Sequence, residues 1–318
     1  PGKPGSFLFN PKALDVPKRY PQSTGLLLGF AAYLIWGSFP LIINQTKFAN
    51  PIEVVTWRVV FGFVFAALLI TIMRRWKTIF GLLRNPRKLK WLLLAAVFIF
   101  INWEVYVVAV ATNNTIESSL GYFINPLITI LFAVLFLKEK LRRGQWIALG
   151  IGLVAVLVLT IDYGRPPFIA LTLALSFAIY SLAKNKVGGK INAVESFTLE
   201  SLLVLPIAIG QLLFMATLEP VMLTSSPLHA SVLIGFGIMT AVPLILFGAA
   251  ASRVPLSTIG FIQYLTPVLQ FLTAFFILGE PMPAVRWIGF SLVWFSLVIL
   301  TFDALRARRK ALQIQPIS

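Results

Sequence analysis

The sequence predicts an all-α membrane protein of ten transmembrane helices, arranged as a five-plus-five inverted repeat. Three observations lead there. Hydrophobic residues make up 58% of the 318-residue chain and charged residues 12%, a balance outside the range of soluble domains. The chain repeats itself: SSLGYFINPLITILFAVLFLKEK at Ser118–Lys140 returns as STIGFIQYLTPVLQFLTAFFILGE at Ser257–Glu280. Pro126 then pairs with Pro267, Glu139 with Glu280 and Trp146 with Trp287 at one constant offset, and Asn50, Glu53 and Thr56 recur as Asn192, Glu195 and Thr198. The third observation is the placement of the basic residues, taken up below.

Residues 1–22 form a polar, basic tail (Lys3, Lys12, Lys18, Arg19). No apolar stretch there precedes a cleavage-like site, so no signal peptide is expected. Ten apolar runs follow, at 24–43, 52–73, 91–111, 116–137, 144–161, 167–183, 193–215, 231–251, 255–278 and 283–303. A bilayer core of roughly 30 Å takes about 20 residues of helix. Helices are the default because lipid offers backbone groups no partner. Five runs fall in residues 23–162 and five in 163–304, and a basic tail occupies 305–318.

If the N-terminus is cytoplasmic, the inside segments hold 23 of the lysines and arginines, and the outside loops only Lys47, Arg165 and Arg286. That split orients the chain with both termini in the cytoplasm. It also accounts for the formal net charge of +16, spread over six short segments and therefore unlike a nucleic-acid patch. An odd number of spans per half makes the second half enter the membrane in the opposite sense. Transporters are often built this way, with the substrate near the midplane where the halves meet.

Cysteine is absent and His229 is the one histidine, so neither a metal site nor a cofactor is expected. An intramembrane enzyme would lack nearly all its parts.

The segments LIWGSFPL near Trp36, EVVTWR at Glu53–Arg58, NWEVY at Asn102–Tyr106 and ESSLGYFINPL at Glu117–Leu127 carry a family resemblance. In the second half it rests on RPPFIALTLALSFAIY at Arg165–Tyr180, FTLESLLVLP at Phe197–Pro206, TAVPLILF at Thr240–Phe247 and PLSTIGFIQYLTPVLQF at Pro255–Phe271. Over nearly all of residues 24–303 the chain resembles the EamA-type branch of the drug/metabolite transporter superfamily, and within it the RarD-like proteins, named for chloramphenicol sensitivity. The resemblance implies ten helices in the bacterial inner membrane and the export of amino acids and other metabolites. The branch usually has a Trp and an Asn where this chain has Val108 and Ala111, so no substrate contact is carried over from that helix.

Ionisable residues inside a span usually face the bundle interior. Arg58, Glu104 and Glu200 are the clear cases. Arg58 and Glu104 lie at matching depths, roughly 9–10 Å from the outer surface at 1.5 Å per residue, with opposite charges. They fit either a ligand-binding charge pair or an ion pair locking two helices. Glu200 occupies the repeat position of Arg58 but is reached from inside. Lys184, Lys186 and Lys190 are its nearest cations, and they are expected to snorkel to water. Glu200 is thus a candidate proton carrier, or else a helix-to-helix hydrogen bond. Glu53, Glu117 and Glu195 sit in first turns, where a carboxylate favours the helix N-terminus.

Asn102, Trp103, Tyr106, Tyr122, Asn125, Gln263 and Tyr264 mix amides and aromatics near mid-membrane, as a pocket for a small amphipathic molecule requires. Bonding between neighbouring helices is their plainer role. Pro126 and Pro267 are expected to bend their helices at related positions flanking one cavity. Gly150, Gly152, Gly235, Gly237 and Gly248 are expected at close helix contacts.

The expected function is a secondary transporter exporting small metabolites, with the lipid bilayer and a small-molecule substrate as partners and no nucleic acid. A non-transporting membrane scaffold or receptor is the alternative. The sequence leaves a homodimer open.

Overall fold

Asparagine followed by proline starts two of the helices. Asn50 Oδ1 accepts the Ile52 N–H at 3.0 Å and Asn85 Oδ1 the Lys88 N–H at 3.2 Å. In each case the proline fills the first helical position, where its missing N–H costs nothing. A computed structural model describes residues 22–137, 141–187, 191–251 and 262–313. Over them it is helical: α1 (Gln22–Gly37), α2 (Phe39–Asn44), α3 (Pro51–Ile72), α4 (Trp76–Leu83), α5 (Pro86–Ala111), α6 (Thr115–Leu137), α7 (Arg143–Tyr163), α8 (Phe168–Val187), α9 (Ala193–Met215), α10 (Pro227–Ala251), α11 (Leu265–Leu272) and α12 (Ala284–Gln313). A short 3₁₀ turn spans Met222–Thr224 and a π-turn spans Thr273–Ile277. Glu139, Lys190, Arg253 and the start of the expected span at 255–278 lie outside the described residues.

Among the described residues, eight stretches of helix are long and apolar enough to cross a membrane, and Phe168–Lys184 and Leu265–Ile277 are shorter apolar helices. Their outward faces carry Leu153, Ile161, Leu213, Phe214, Phe276 and Phe302, each more than half exposed. In water such a surface would aggregate; against lipid it is the expected finish. The chain is a multi-pass membrane protein.

The boundaries differ from expectation where local chemistry intervenes. The first run breaks after Gly37, where Ser38 Oγ donates to the Ile35 carbonyl at 2.8 Å and Pro40 follows. The basic segment 74–90, expected as a loop, contains α4, which buries Ile79 and Leu82 against its neighbours. Helix α5 starts at Pro86 and α10 at Pro227, both upstream of the apolar runs, because a proline can open a helix before its hydrophobic stretch begins. Helix α12 runs to Gln313, well into the tail expected at 305–318.

Helix α3 lies against α9 and α10, α5 against α8, α6 against α8, α7 against α12, and α1 against α10 and α11. Two apolar cores result. One gathers Phe39, Val55, Val59, Trp103, Phe197 and Phe236; the other gathers Leu120, Phe123, Leu159, Phe271, Phe290 and Val293. Each draws on both sequence repeats. Close approach depends on glycine at Gly121, where a Cβ would sit 2.7 Å from the Ala170 carbonyl oxygen, and at Gly237, where it would sit 2.5 Å from Phe61 Cβ. Gly152 is similarly crowded by Leu127, whereas Gly150 and Gly235 meet nothing within 4 Å and are not at contacts.

The two ends of the bundle are stitched differently. At the basic end Arg75 approaches Glu195 at 3.7 Å and Arg142 pairs with Asp303 at 2.6 Å. At the far end Glu117 accepts the Ile169 N–H at 3.0 Å and pairs with Arg165 at 2.8 Å. Glu53 accepts the N–H groups of Met222 and Leu223 at 2.8 and 2.9 Å, Glu280 takes those of Thr115 and Ile116, and Arg286 pairs with Asp162 at 2.8 Å. Glu195 caps its own helix, accepting the Asn192 N–H at 3.0 Å. Glu53 and Glu117 depart from expectation: each satisfies the free N–H groups of a neighbouring segment. His229 also belongs to the far end, stacked on Phe48 with ring centroids 3.7 Å apart.

Candidate functional site

Lys184 and Glu200 meet at the basic end, on α8 and α9. Lys184 Nζ lies 2.6 Å from Glu200 Oε1. The Ser196 hydroxyl donates to the same oxygen at 2.9 Å and receives a bond from Lys184; the Tyr180 hydroxyl donates to Glu200 Oε2 at 3.4 Å. The expectation of a carboxyl without a fixed cation is therefore corrected. Lys184 sits near the end of α8, but four methylenes let its ammonium reach inward instead of out to water. These residues line a cavity of about 660 Å³, together with Leu69, Met73, Phe197 and Leu244. Helices α3, α8, α9 and α10 form its walls. Its size and mainly apolar lining suit a small organic molecule.

Arg58 lies deeper. It is 4% exposed, and its guanidinium carbon is 4.7 Å from the Trp103 ring centroid, 5.3 Å from Phe236 and 5.5 Å from Phe39. Its Nε donates to Thr240 Oγ1 at 3.0 Å, and the Thr240 hydroxyl is in turn committed to the Phe236 carbonyl. The tight contact of α3 with α10 at Gly237, one turn from Thr240, brings that hydroxyl within reach. Arg58 Nη1 is buried with no hydrogen-bond partner, and Arg58 has no carboxylate partner among the described residues.

Glu104 does not meet Arg58. Adjacent residues on a helix are turned by about 100°, and Trp103 occupies the face of α5 that Arg58 touches. Glu104 is half-buried, and its Oε1 has no partner either. Matching depth along two helices did not imply matching direction around them.

Around Arg58 the structure gathers four of the sequence candidates. Asn102 is fully engaged: its amide donates to the Leu173 carbonyl and to Ser176 Oγ, both at 3.0 Å, and its oxygen accepts from Tyr122 at 3.2 Å. Tyr106 packs edge-on to Tyr122 with centroids 5.7 Å apart. Trp103 lies over the guanidinium. The other three are elsewhere. Asn125 accepts from Thr129 within α6, Gln263 is exposed, and Tyr264 packs on the second core. Pro126 and Pro267 lie in α6 and α11, which pack against each other. Thr240, Phe236, Phe39 and Gln270 were not anticipated. Gln270 is buried and donates to the Trp36 carbonyl at 3.3 Å; it lies about one turn beyond Pro267.

Residues 23–161 match the EamA-like transporter family. The chain is similar to protein RarD of Streptomyces exfoliatus, with 47% identity over 91% of this chain and 92% of the relative. The chain belongs to the RarD-like branch of the EamA-type transporters. It is also similar to protein RarD of Escherichia coli K12, with 38% identity over 90% of this chain and 96% of the relative. A crystal structure of a protein 20% identical aligns with a TM-score of 0.55, over 89% of this chain and 99% of that one, a likeness of fold. Membership makes this RarD-like chain a membrane transporter of the drug/metabolite type. Within it, the ion pair at the cavity and the caged arginine behind it are two polar constellations inside apolar helices. Among the described residues no group of three His, Asp or Glu could hold a metal ion.

Proposed function

We propose that the chain is a secondary transporter that exports small amphipathic metabolites across the bacterial inner membrane. It would do so by alternating access between two inverted five-helix repeats, residues 23–162 and 163–304. The carrying observation is the asymmetry between the ends. The cavity of about 660 Å³ lies at the basic end, which the positive-inside bias assigns to the cytoplasm. The far end is closed by carboxylates bonded to the backbone of neighbouring segments. This asymmetry supports a carrier open to the inside, loading substrate for export. The walls of the cavity come from both repeats, as rocking of one repeat against the other requires.

Glu200 faces the cavity and is held by Lys184, so a change in the cavity acts on this pair directly. The test is flux. Purified protein in liposomes, loaded with an unlabelled metabolite mixture, is screened for uptake of labelled amino acids, organic acids and phenicols under imposed pH gradients. Accelerated counterflow of at least one compound is expected, and Glu200→Gln should spare it while losing uptake driven by the pH gradient. Protein that is correctly folded and inserted yet moves none of them would sink the reading.

A further inference from the structure

Arg58 is a buried cation inside apolar helices with an unused donor. Such a charge is expensive in a membrane interior and normally carries a counter-charge. Three aromatic rings offset part of that cost, but a ring cannot accept the in-plane bond that Nη1 has available. The buried phenols of Tyr122 and Tyr106 lie near Arg58, and no carboxylate pairs with it among the described residues. Tyr122 already donates to Asn102. The Tyr106 hydroxyl is buried beside the Gln270 side chain, with which it makes no hydrogen bond of good geometry. Arg58 Nη1, with no acceptor, and the Tyr106 hydroxyl, with the Gln270 side chain beside it, thus both lie among buried aromatic rings.

This region lies directly behind the cavity. Phe197 lines the cavity, and its ring centroid is 6.0 Å from that of Trp103, the ring over Arg58. Phe197 also rests against Gly62, one turn from Arg58, where a Cβ would come within 3.0 Å of its Cζ. Its side chain thus stands between the cavity and the Trp103 ring that covers Arg58.

We propose that Arg58 and Tyr106 bind the carboxylate of a small organic acid, which enters from the cavity past Phe197. This rests on the transport reading and adds to it the chemical class of the substrate. A carboxylate supplies two oxygens for two donors and the negative charge that Arg58 lacks. The apolar body of the acid then lies against Trp103 and Phe236. Neutral amides of the same shape lose the charge and leave Arg58 as it is now.

The test measures binding, separately from flux. The full chain in detergent is titrated calorimetrically at neutral pH with 3-phenylpropanoate and with its neutral amide, 3-phenylpropanamide. The acid is expected to bind at least about tenfold more tightly, since hydrogen bonds to a charged group are the stronger kind. Tyr106→Phe keeps the ring and removes the donor; it should weaken the acid roughly tenfold and leave the amide unchanged. That variant carries the test even where Arg58→Gln fails to fold. Equal affinity for acid and amide, an acid affinity indifferent to Tyr106→Phe, or no acid binding at millimolar concentration would each overturn the proposal. Carboxylate-selective binding by protein that moves nothing across liposomes would uphold it and remove the transport reading. Flux that favours neutral compounds would do the reverse.

Discussion

Glu280 holds Thr115: its Oε1 accepts the Thr115 backbone N–H at 2.7 Å, and its other oxygen takes the next N–H, of Ile116, at 2.8 Å. These are free donors at the start of α6, and the carboxylate that satisfies them comes from the other repeat. Removing it leaves two buried N–H groups unpaired, at about 1–3 kcal/mol. Glu280→Ala should therefore lower the thermal unfolding midpoint. It should also make Ser118→Cys, buried beside this contact, react faster with a thiol reagent. An unchanged midpoint and unchanged labelling would mean that the far end is held by its other bonds alone.

Lys184 and Glu200 should behave as a unit. Removing one member of a buried pair strands the other, typically at about 3–5 kcal/mol, here reduced because Lys184 is 29% exposed. Lys184→Met and Glu200→Gln are each expected to destabilise, with the double variant recovering part of the loss. Additive losses in that cycle would show that the 2.6 Å contact contributes no stability.

Arg58 should couple to Thr240 and not to Glu104. In double-mutant cycles of unfolding, Arg58→Leu with Thr240→Val should show an interaction of about 1–2 kcal/mol. Arg58→Leu with Glu104→Gln should add within about 0.5 kcal/mol, as separated sites do. A large coupling between Arg58 and Glu104 would place them together, contrary to the position of Trp103.

Gly121→Ala should force α6 and α8 apart, because the new methyl would lie 2.7 Å from a backbone oxygen that cannot rotate away. A loss of about 1–3 kcal/mol is expected. Gly150→Ala, with nothing within 4 Å, is the matched control and should be neutral or slightly stabilising. Equal yields and unfolding temperatures for the two variants would argue against that close packing.

The spans were legible because a run of twenty apolar residues has few other uses. The helix starts and ends were less so: proline can open a helix well before the apolar run, as at Pro86 and Pro227. Helix α4 was hidden because its eight residues sit among arginines and lysines and carry too short a pattern to rise above them. The site was legible in part. Arg58, Trp103, Tyr106 and Tyr122 announced themselves as polar or aromatic residues in membrane helices. Depth can be counted along a sequence, but direction around a helix depends on packing. That is why Arg58 was paired with Glu104 and Glu200 was left without Lys184. Thr240 and Gln270 stayed unnoticed since a single hydroxyl or amide in an apolar run names no partner.

The carboxylates at the far end have a bearing on how the chain is made. Thr115 and its cap Glu280 are separated by 165 residues. At roughly 5–20 residues per second of synthesis, α6 spends on the order of ten to thirty seconds in the membrane before Glu280 leaves the ribosome. Glu53 waits as long for Met222, 169 residues on. A chain truncated before Met222 leaves the Glu53 carboxylate without its backbone partners, and one truncated before Glu280 leaves the Thr115 and Ile116 N–H groups without theirs. The first half of the chain thus completes these ends only when the second half arrives.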